Sequence, residues 1–479
     1  MITSEEMAVV DANAEALGVP RKQLMESSGN AVARVVRELS EPGATVALVC
    51  GRGNNGGDAF VAARFLDDYE TTVHLLGRAE TITTEIAREN WRALQTTEYD
   101  VREVRDSTAF DLGSPDVIVD ALLGTGVRGE PREPVASAIT AINDASATVV
   151  AVDVPSGVDA DTGDAAGVSV DADHVVTFHD EKPGLDAVDA TVSVADIGIP
   201  DAAERFVERG DLLRLTRQAD AHKGAFGRVI VVGGGPYTGA PALSAQSALR
   251  AGADLAYVAC PESVAREIQG YSENLIVRPF GGEYLTPSNV DDLLEQTAEM
   301  DCVVFGPGLG DRATTLTAVY EFLTEFDGLA VVDADALQVV PDVATEATLV
   351  CTPHQGELQA MGGETSDDWR ERAELVESFA AELGHTILVK GAYDVVSDGE
   401  TTRVNRTGNP GMTVGGTGDV LAGAVAALAC QLESLSAAAI GAYVNGRAGD
   451  LIADEIGYGL VATDLPDRLP HALWPDRQD

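Results

Sequence analysis

Eight consecutive residues, Gly51-Arg52-Gly53-Asn54-Asn55-Gly56-Gly57-Asp58, stand between an apolar run ending at Cys50 and a helical pattern opening at Ala59. The spacing Gly51-x-Gly53-x-x-Gly56 is that of a dinucleotide turn, in which glycines let backbone amides and a helix N-terminus approach a pyrophosphate. A tight turn in which Asn and Gly tolerate positive φ fits the same residues. Three more polar stretches follow apolar runs: Asp120-Ala121-Leu122-Leu123-Gly124-Thr125-Gly126, Asp153-Val154-Pro155-Ser156-Gly157-Val158-Asp159 and Glu181-Lys182-Pro183-Gly184. Together they offer Asn and Ser oxygens, two carboxylates and amide-rich turns. Such oxygens suit a hard monovalent cation, with the amides near phosphate.

A second set lies downstream. His222-Lys223-Gly224-Ala225-Phe226-Gly227 precedes an apolar run, and Gly233-Gly234-Gly235-Pro236-Tyr237-Thr238-Gly239-Ala240-Pro241 follows it. Next come Gly306-Pro307-Gly308-Leu309-Gly310, Asp333-Ala334-Asp335-Ala336-Leu337 and Thr352-Pro353-His354-Gln355-Gly356-Glu357. The strongest segment is Gly415-Gly416-Thr417-Gly418-Asp419, which opens an Ala-rich helical pattern. Its glycines can present several amides to a transferring phosphoryl group at the positive end of that helix. Asp419 falls in the first turn, within reach of a hydroxyl that must lose a proton to attack phosphorus. An acid favoured there by the helix dipole alone is the plainer reading, and the number of phosphate-type loops around it reverses the preference.

The elements that must hold these loops are short β-branched strands alternating with amphipathic helices, the pattern of a parallel sheet covered on both faces. Strands are expected at Thr45–Cys50, 72–76, 117–119, Thr148–Val152, His174–Phe178 and 191–194. The alternation restarts at 227–232 and continues through 255–260, Cys302–Phe305, 330–333, Thr348–Cys351 and 386–390. Helices are expected over 59–68, 85–95, Val135–Asn143, 419–432 and 436–456. The polar segment at 211–222 marks a boundary, and the two halves carry different Gly-rich loops. The fold class is therefore α/β with two unrelated domains, 1–210 and 211–479.

Composition narrows the functional classes. The 479 residues include 32 basic and 78 acidic ones, a formal charge of −46. A surface of that sign repels phosphate backbones and anionic lipid, so nucleic acid and membrane are not expected as partners. Acid spread along a whole chain is what a solvated surface needs in concentrated salt, where screening removes self-repulsion. A halophile's cytoplasmic protein is the expected setting. Five scattered Cys without a CxxC pair and seven His without an HxxxH pair point away from disulfide scaffolds and transition-metal sites. The start resembles no signal peptide, and the longest nearly uncharged apolar run, 421–432, is too short to span a bilayer. Lysine occurs only at Lys22, Lys182, Lys223 and Lys390, and three of these fall inside the motifs.

The stretches NNGGDAFVAARFL, DALLGTGVRG and VDVPSGVDADTG, in that order, resemble the NAD(P)H-hydrate epimerase domain, also called the YjeF N-terminal domain, over about residues 1 to 210. The resemblance implies a Rossmann-like doubly wound sheet. It implies substrate contacts from Asn54, Asn55, Gly56, Gly57 and Asp58 and from Gly124, Thr125, Gly126, Val127, Arg128, Gly129 and Glu130. Asn55, Asp120 and Ser156 would bind potassium, and Asp153 would touch the hydrated nicotinamide. Inversion at C6 of that ring needs a proton donor and acceptor. Asp153 is the candidate, with Lys182 second, and a surface lysine before a turn fits Lys182 equally well. Ala59 departs from the third Gly usual in the family.

GGTGD before a helix is the anion-hole signature of the ribokinase-like superfamily. With HKGxxG, GAPAL, DADAL, TPHxGE, LVKG and NPGMTVGGTGDVLAG, the second half resembles the ADP-dependent NAD(P)H-hydrate dehydratases over about residues 211 to 470. By that resemblance Ala240, Gly308, His354 and Asp419 face the hydrated substrate. Lys390, Gly391, Ala392, Tyr393, Asp394 and Gly418 face the nucleotide. Gln338 stands where the family usually has Asn. ADP is the implied co-substrate and Mg²⁺ its companion, with Asp419 as base and Lys223 or Lys390 neutralising phosphate charge. Phosphorylation would turn the C6 hydroxyl into a leaving group, and elimination would restore the reduced nicotinamide.

The small-molecule partners so implied are hydrated NADH and NADPH together with ADP, acted on by a homo-oligomer. An epimerase fused to the dehydratase lets both epimers be recovered. Three other readings use the same loops: a small-molecule kinase, a non-catalytic nucleotide-binding module, and a Rossmann dehydrogenase. The last lacks the acid expected about 20 residues beyond the first loop.

Overall fold

The computed structural model describes residues 1–126, 129–218 and 220–475. The chain separates into two compact units, Met1–Ala203 and Glu204–Asp479. The cut falls ahead of the polar segment at 211–222 because Val207 donates its amide to the Val404 carbonyl and Arg403 grips the Asp211 carboxylate at 2.8 Å.

In the first unit, seven parallel strands form one sheet. They are β1 (Thr45–Cys50), β2 (Glu70–Leu76), β3 (Asp100–Val104), β4 (Val117–Ala121), β5 (Thr148–Val152), β6 (His174–Phe178) and β7 (Thr191–Ala195). The order is β3-β2-β1-β4-β5-β6-β7. The direction in which successive strands are added therefore reverses at β1/β4, the switch point outside whose carboxyl ends open α/β sheets bind ligands. The central strands are almost entirely buried and rich in Val, Ile and Leu, because helices such as Arg21–Leu39 and Val135–Asn143 cover both faces. β3 (DVREV) escapes a reading by apolar runs because it is an edge strand that alternates charged and apolar residues.

The second unit carries nine strands: β8 (Arg228–Val232), β9 (Leu255–Pro261), β10 (Ile276–Phe280), β11 (Cys302–Phe305), β12 (Leu329–Val332), β13 (Thr348–Cys351), β14 (Thr386–Val389), β15 (Asp394–Ser397) and β16 (Thr402–Asn405). The order is β10-β9-β8-β11-β12-β13-β14-β15-β16. The sheet is parallel from β10 to β14, and β15 and β16 join it antiparallel. A wholly parallel sheet is thus corrected at this edge, where a short turn after Val389 can only reverse the chain. The helices Gly239–Ala251 and Thr417–Ala429 pack closely on one face. Gly423 permits it, since a Cβ there would meet the Ser244 carbonyl oxygen at 1.9 Å.

Candidate active sites

In the first unit the loops after β1, β4 and β5 converge. The helix after β1 begins at Asn54, not Ala59, and runs to Arg64 with Gly53 as its extended N-cap. The Asn-Gly run is therefore the first turn itself. Gly56 and Gly57 are buried within it. A Cβ on Gly56 would meet the Gly51 carbonyl oxygen at 2.2 Å and one on Gly57 the Met25 side chain at 2.8 Å, so both serve close packing.

A cleft of about 980 Å³ opens beside this turn. Of the residues named from the sequence, Asn54, Asn55, Asp58, Gly124, Thr125, Gly126, Gly129, Glu130, Asp153 and Lys182 line it. Val127 and Arg128 lie outside the described residues. At its floor, Asn55, Asp120 and Ser156 meet around Leu123. Asn55 Nδ2 donates to the Leu123 carbonyl at 2.8 Å, and Ser156 Oγ donates to Asp120 Oδ1 at 2.7 Å. The Ser156 amide donates to Asp120 Oδ2 at 2.8 Å. Asp120 is fully buried, and burial pushes its carboxyl up to about 6 against these donors. No cationic side chain among the described residues pairs with it.

Asp153 follows β5 at φ +66°, a conformation that costs a non-glycine residue and persists where the surroundings enforce it. Its Oδ1 lies 3.0 Å from Lys182 Nζ and accepts Thr177 Oγ1 at 3.0 Å. Lys182 is fully buried and also donates to the carbonyls of Phe178 and Asp180. An exposed lysine ahead of a turn is thereby corrected: it is the buried counter-ion of Asp153. Two further carboxyls share the cleft. Burial, then the nearby Asp153 and Asp11 charges, push Asp58 well above the usual range. Asp11, from the helix Ser4–Ala16, rises to about 6 through burial chiefly, and it was not legible as a site residue.

The second unit interlocks its loops through glycines. A Cβ on Gly308 (φ +74°) would meet the Tyr237 carbonyl oxygen at 2.3 Å, and one on Gly306 the Asp333 carbonyl oxygen at 1.9 Å. The loops after β8, β11 and β12 are thus in backbone contact. The GGTGD helix starts at Thr417, with Gly416 as its left-handed N-cap and Asp419 in the first turn. Ser244 Oγ ties this turn to Ala240's helix by donating to the Asp419 carbonyl at 2.8 Å and the Ala240 carbonyl at 3.3 Å.

Lys390 centres the charge here. Its Nζ lies 3.0 Å from Asp333 Oδ1 and 3.7 Å from Glu357 Oε2, and a Cβ on Gly418 would stand 3.3 Å from it. Burial alone would lower the Lys390 ammonium's pKa, but Asp333, Glu357 and Asp419 outweigh it and the value is raised. Asp419 is pushed up to about 7 by burial first and then by Asp333 and Glu357, against Lys390. Asp333 and Glu357 were legible only as members of DADAL and TPHxGE, because their work is to face one ammonium from separate loops. His354 caps the helix Gln355–Ala360: its Nδ1 accepts the Glu357 amide at 3.0 Å while the ring stays exposed. Gly391, Ala392 and Tyr393 form an exposed turn, whereas Asp394 closes that turn by accepting from the Gly391 amide and Asn405 Nδ2. Asp394, half-buried, is pushed up to about 6 chiefly by desolvation. Tyr393 stacks on Trp369 with ring centroids 5.5 Å apart. Lys223 lies before β8, at the amino end of the sheet, whereas Lys390 follows the carboxyl end of β14. Of these two lysines, Lys390 is the one on the side of the sheet where the Gly-rich loops gather.

Residues 229–471 match the family described as NAD(P)H-hydrate dehydratase, and residues 21–184 match the YjeF-related protein N-terminus. The bifunctional NAD(P)H-hydrate repair enzyme Nnr of Methanothermobacter thermautotrophicus is 44% identical, with 98% of this chain and 95% of that protein covered. Its counterpart in Pyrobaculum aerophilum is 45% identical, with 98% of each covered. The second unit resembles the crystal structure of a ribokinase-like superfamily protein from Enterococcus faecalis. The TM-score is 0.50 at 25% identity, covering 57% of this chain and 95% of that one.

Proposed function

The chain belongs to the bifunctional NAD(P)H-hydrate repair enzymes, an epimerase-type half joined to a dehydratase-type half, and on that premise we propose which residues perform each reaction. Residues 1–203 form the epimerase domain and residues 204–479 the dehydratase domain, the division following the two compact units. In the first, Asn54, Asn55, Asp58 and the loop from Gly124 to Glu130 hold hydrated NADH or NADPH, and Asp153 reaches C6. The ion pair of Asp153 with fully buried Lys182 carries this reading, because burying a charge is tolerated only beside its partner and keeps that carboxylate aimed. Asn55, Asp120 and Ser156 are the place for K⁺. Asp120 is a fully buried carboxylate with no cationic partner among the described residues, held by the Ser156 hydroxyl and two backbone amides, and with the Ser156 hydroxyl and the Leu123 carbonyl beside it the oxygens fit a hard monovalent ion. When bound, K⁺ supplies the missing counter-charge.

In the second unit Asp419 takes a proton from the C6 hydroxyl as that oxygen attacks the terminal phosphoryl group of ADP. Lys390 and the amides of the Gly415–Gly418 turn stabilise the transferred oxygens. AMP leaves with the electron pair of the broken P–O bond. The C6–O bond of the phosphorylated hydrate then breaks with its pair on phosphate, C5 gives up a proton to solvent, and the C5=C6 double bond of the reduced nicotinamide is restored. No group of three His, Cys, Asp or Glu able to cage a metal occurs among the described residues, so Mg²⁺ is proposed as the nucleotide's own companion, held chiefly by its phosphates. Ala240, Gly308 and His354 face the hydrate, and Gly391, Ala392, Tyr393 and Gly418 the nucleotide, with Asp394 shaping that turn. The reading includes a cytoplasmic homo-oligomer in a halophile. No helix among the described residues is long and apolar enough to cross a membrane.

The test is to give the purified chain mixed epimers of hydrated NADH with ADP, Mg²⁺ and molar KCl, and to follow the reduced-nicotinamide absorbance. Full recovery is expected. Asp153→Asn should stall with one epimer left, and recovery of both by that variant would remove Asp153 from the reaction.

A further inference from the structure

Inversion at C6 needs a proton to give as well as a place to put one. Asp153 spends Oδ1 on the buried Lys182 ammonium and the Thr177 hydroxyl, and Lys182 spends its protons on Asp153 and two carbonyls. Neither is free to be the donor. Asp11 faces the same cleft from another element, the helix Ser4–Ala16, and makes no hydrogen bond or ion pair among the described residues. We propose that Asp11 is the second catalytic carboxyl of the epimerase cleft, giving the proton that Asp153 later receives in kind. This rests on the reading of that cleft as the epimerase site.

The surroundings suit the role. Burial is the main cause raising the Asp11 carboxyl to about 6, Asp153 adds to it, and Arg21, Lys182 and His179 oppose it. Asp58 is the remaining acid in this field, and burial, then the Asp153 and Asp11 charges, raise its carboxyl as well. A group of this kind carries its proton in part of the population near neutral pH, where an ordinary carboxyl has lost it. The proton passes from Asp11 to the C6 hydroxyl oxygen. The C6–O bond breaks with its electron pair leaving on water, and the pair on ring N1 closes an iminium to C6. Water then adds to the other face, the pair returns to N1, and the proton released goes to the free oxygen of Asp153. One water leaves and one enters, and solvent returns the proton from Asp153 to Asp11.

The experiment uses the full-length chain with the R epimer of hydrated NADH, saturating ADP, and subtraction of the spontaneous rate. For the parent protein, the initial R-to-S conversion, read by separating the epimers so that dehydration does not limit it, should fall as pH rises through about 6. Asp11→Asn should lower kcat about 100-fold, the lower end of what general acid catalysis contributes, with KM nearly unchanged and that pH limb gone. Dehydration of the S epimer by the same chain should not change. Asp11→Glu should restore the limb, which guards against a variant that merely misfolds. Asp11→Asn retaining kcat and the limb, Asp11→Glu behaving like Asn, or the limb following Asp58→Asn instead would each overturn the assignment. A parent chain that dehydrates the S epimer but never consumes the R epimer would remove the cleft reading itself, and Asp11 with it.

Discussion

Replacing Asp419 by Asn separates what this carboxyl does for catalysis from what it does to stability, with opposite signs. Burial, Asp333 and Glu357 raise its pKa from 3.8 to about 7. A raised carboxyl favours the native state while protonated, so native stability is lost as pH climbs from the unfolded value through the folded one. Integrating the linkage with these two values gives a penalty of about 2 kcal/mol at pH 5.5 and about 4 kcal/mol at pH 8.5. The Asn side chain carries no such penalty. Asp419→Asn should therefore melt higher than the parent at pH 8.5. Its advantage should grow by about 2 kcal/mol between those pH values, or about 4 °C or more in the transition of the second unit. Its dehydration of the S epimer should fall by about 10²–10⁴. In the parent, kcat should rise about tenfold per pH unit below 7 and level off above, as the base form fills. Calorimetry at both pH values and the absorbance assay read the two effects. An advantage that does not grow with pH would show that Asp419 is not held up by its surroundings. A variant retaining activity would show that it is not the base.

Further expectations follow from other contacts. Lys182→Met strands Asp153 without its counter-ion and removes the donor to two carbonyls. It should cost about 3–5 kcal/mol in urea unfolding of the first unit and abolish R-epimer consumption while S-epimer dehydration persists. Gly423→Ala pushes a Cβ to 1.9 Å from the Ser244 carbonyl, which must separate two packed helices. A loss of about 1–3 kcal/mol is expected, with slower dehydration because Ser244 also holds the Asp419 turn. Lowering KCl from about 1 M to 0.1 M lengthens the screening distance from about 3 Å to about 10 Å. With a charge of −46 the melting temperature should drop, and a chain indifferent to salt would refute the halophilic reading.

Local chemistry made much of this protein legible in advance. Buried parallel strands need apolar residues on both faces, so β1, β5, β6, β11 and β13 announce themselves as Val- and Leu-rich runs with their ends in place. Glycine spacing likewise marks the two Gly-rich helix starts, and Asp419 stands out as the acid in the first turn of the second. The strands that stayed hidden lie at or next to the sheet edges: β3 and β10 mix polar with apolar residues, and β15 and β16 are four-residue pieces of a hairpin. Only the folded chain decided which charges face each other. Lys182 reads as a surface residue until the sheet buries it against Asp153. Asp11 reads as one acid on a helix until that helix lies over the cleft. Asp333 and Glu357 come from separate loops to surround one ammonium. Helix and strand periods act over a few neighbours, whereas the field that sets a carboxyl's proton affinity depends on burial and on charges brought together from distant positions.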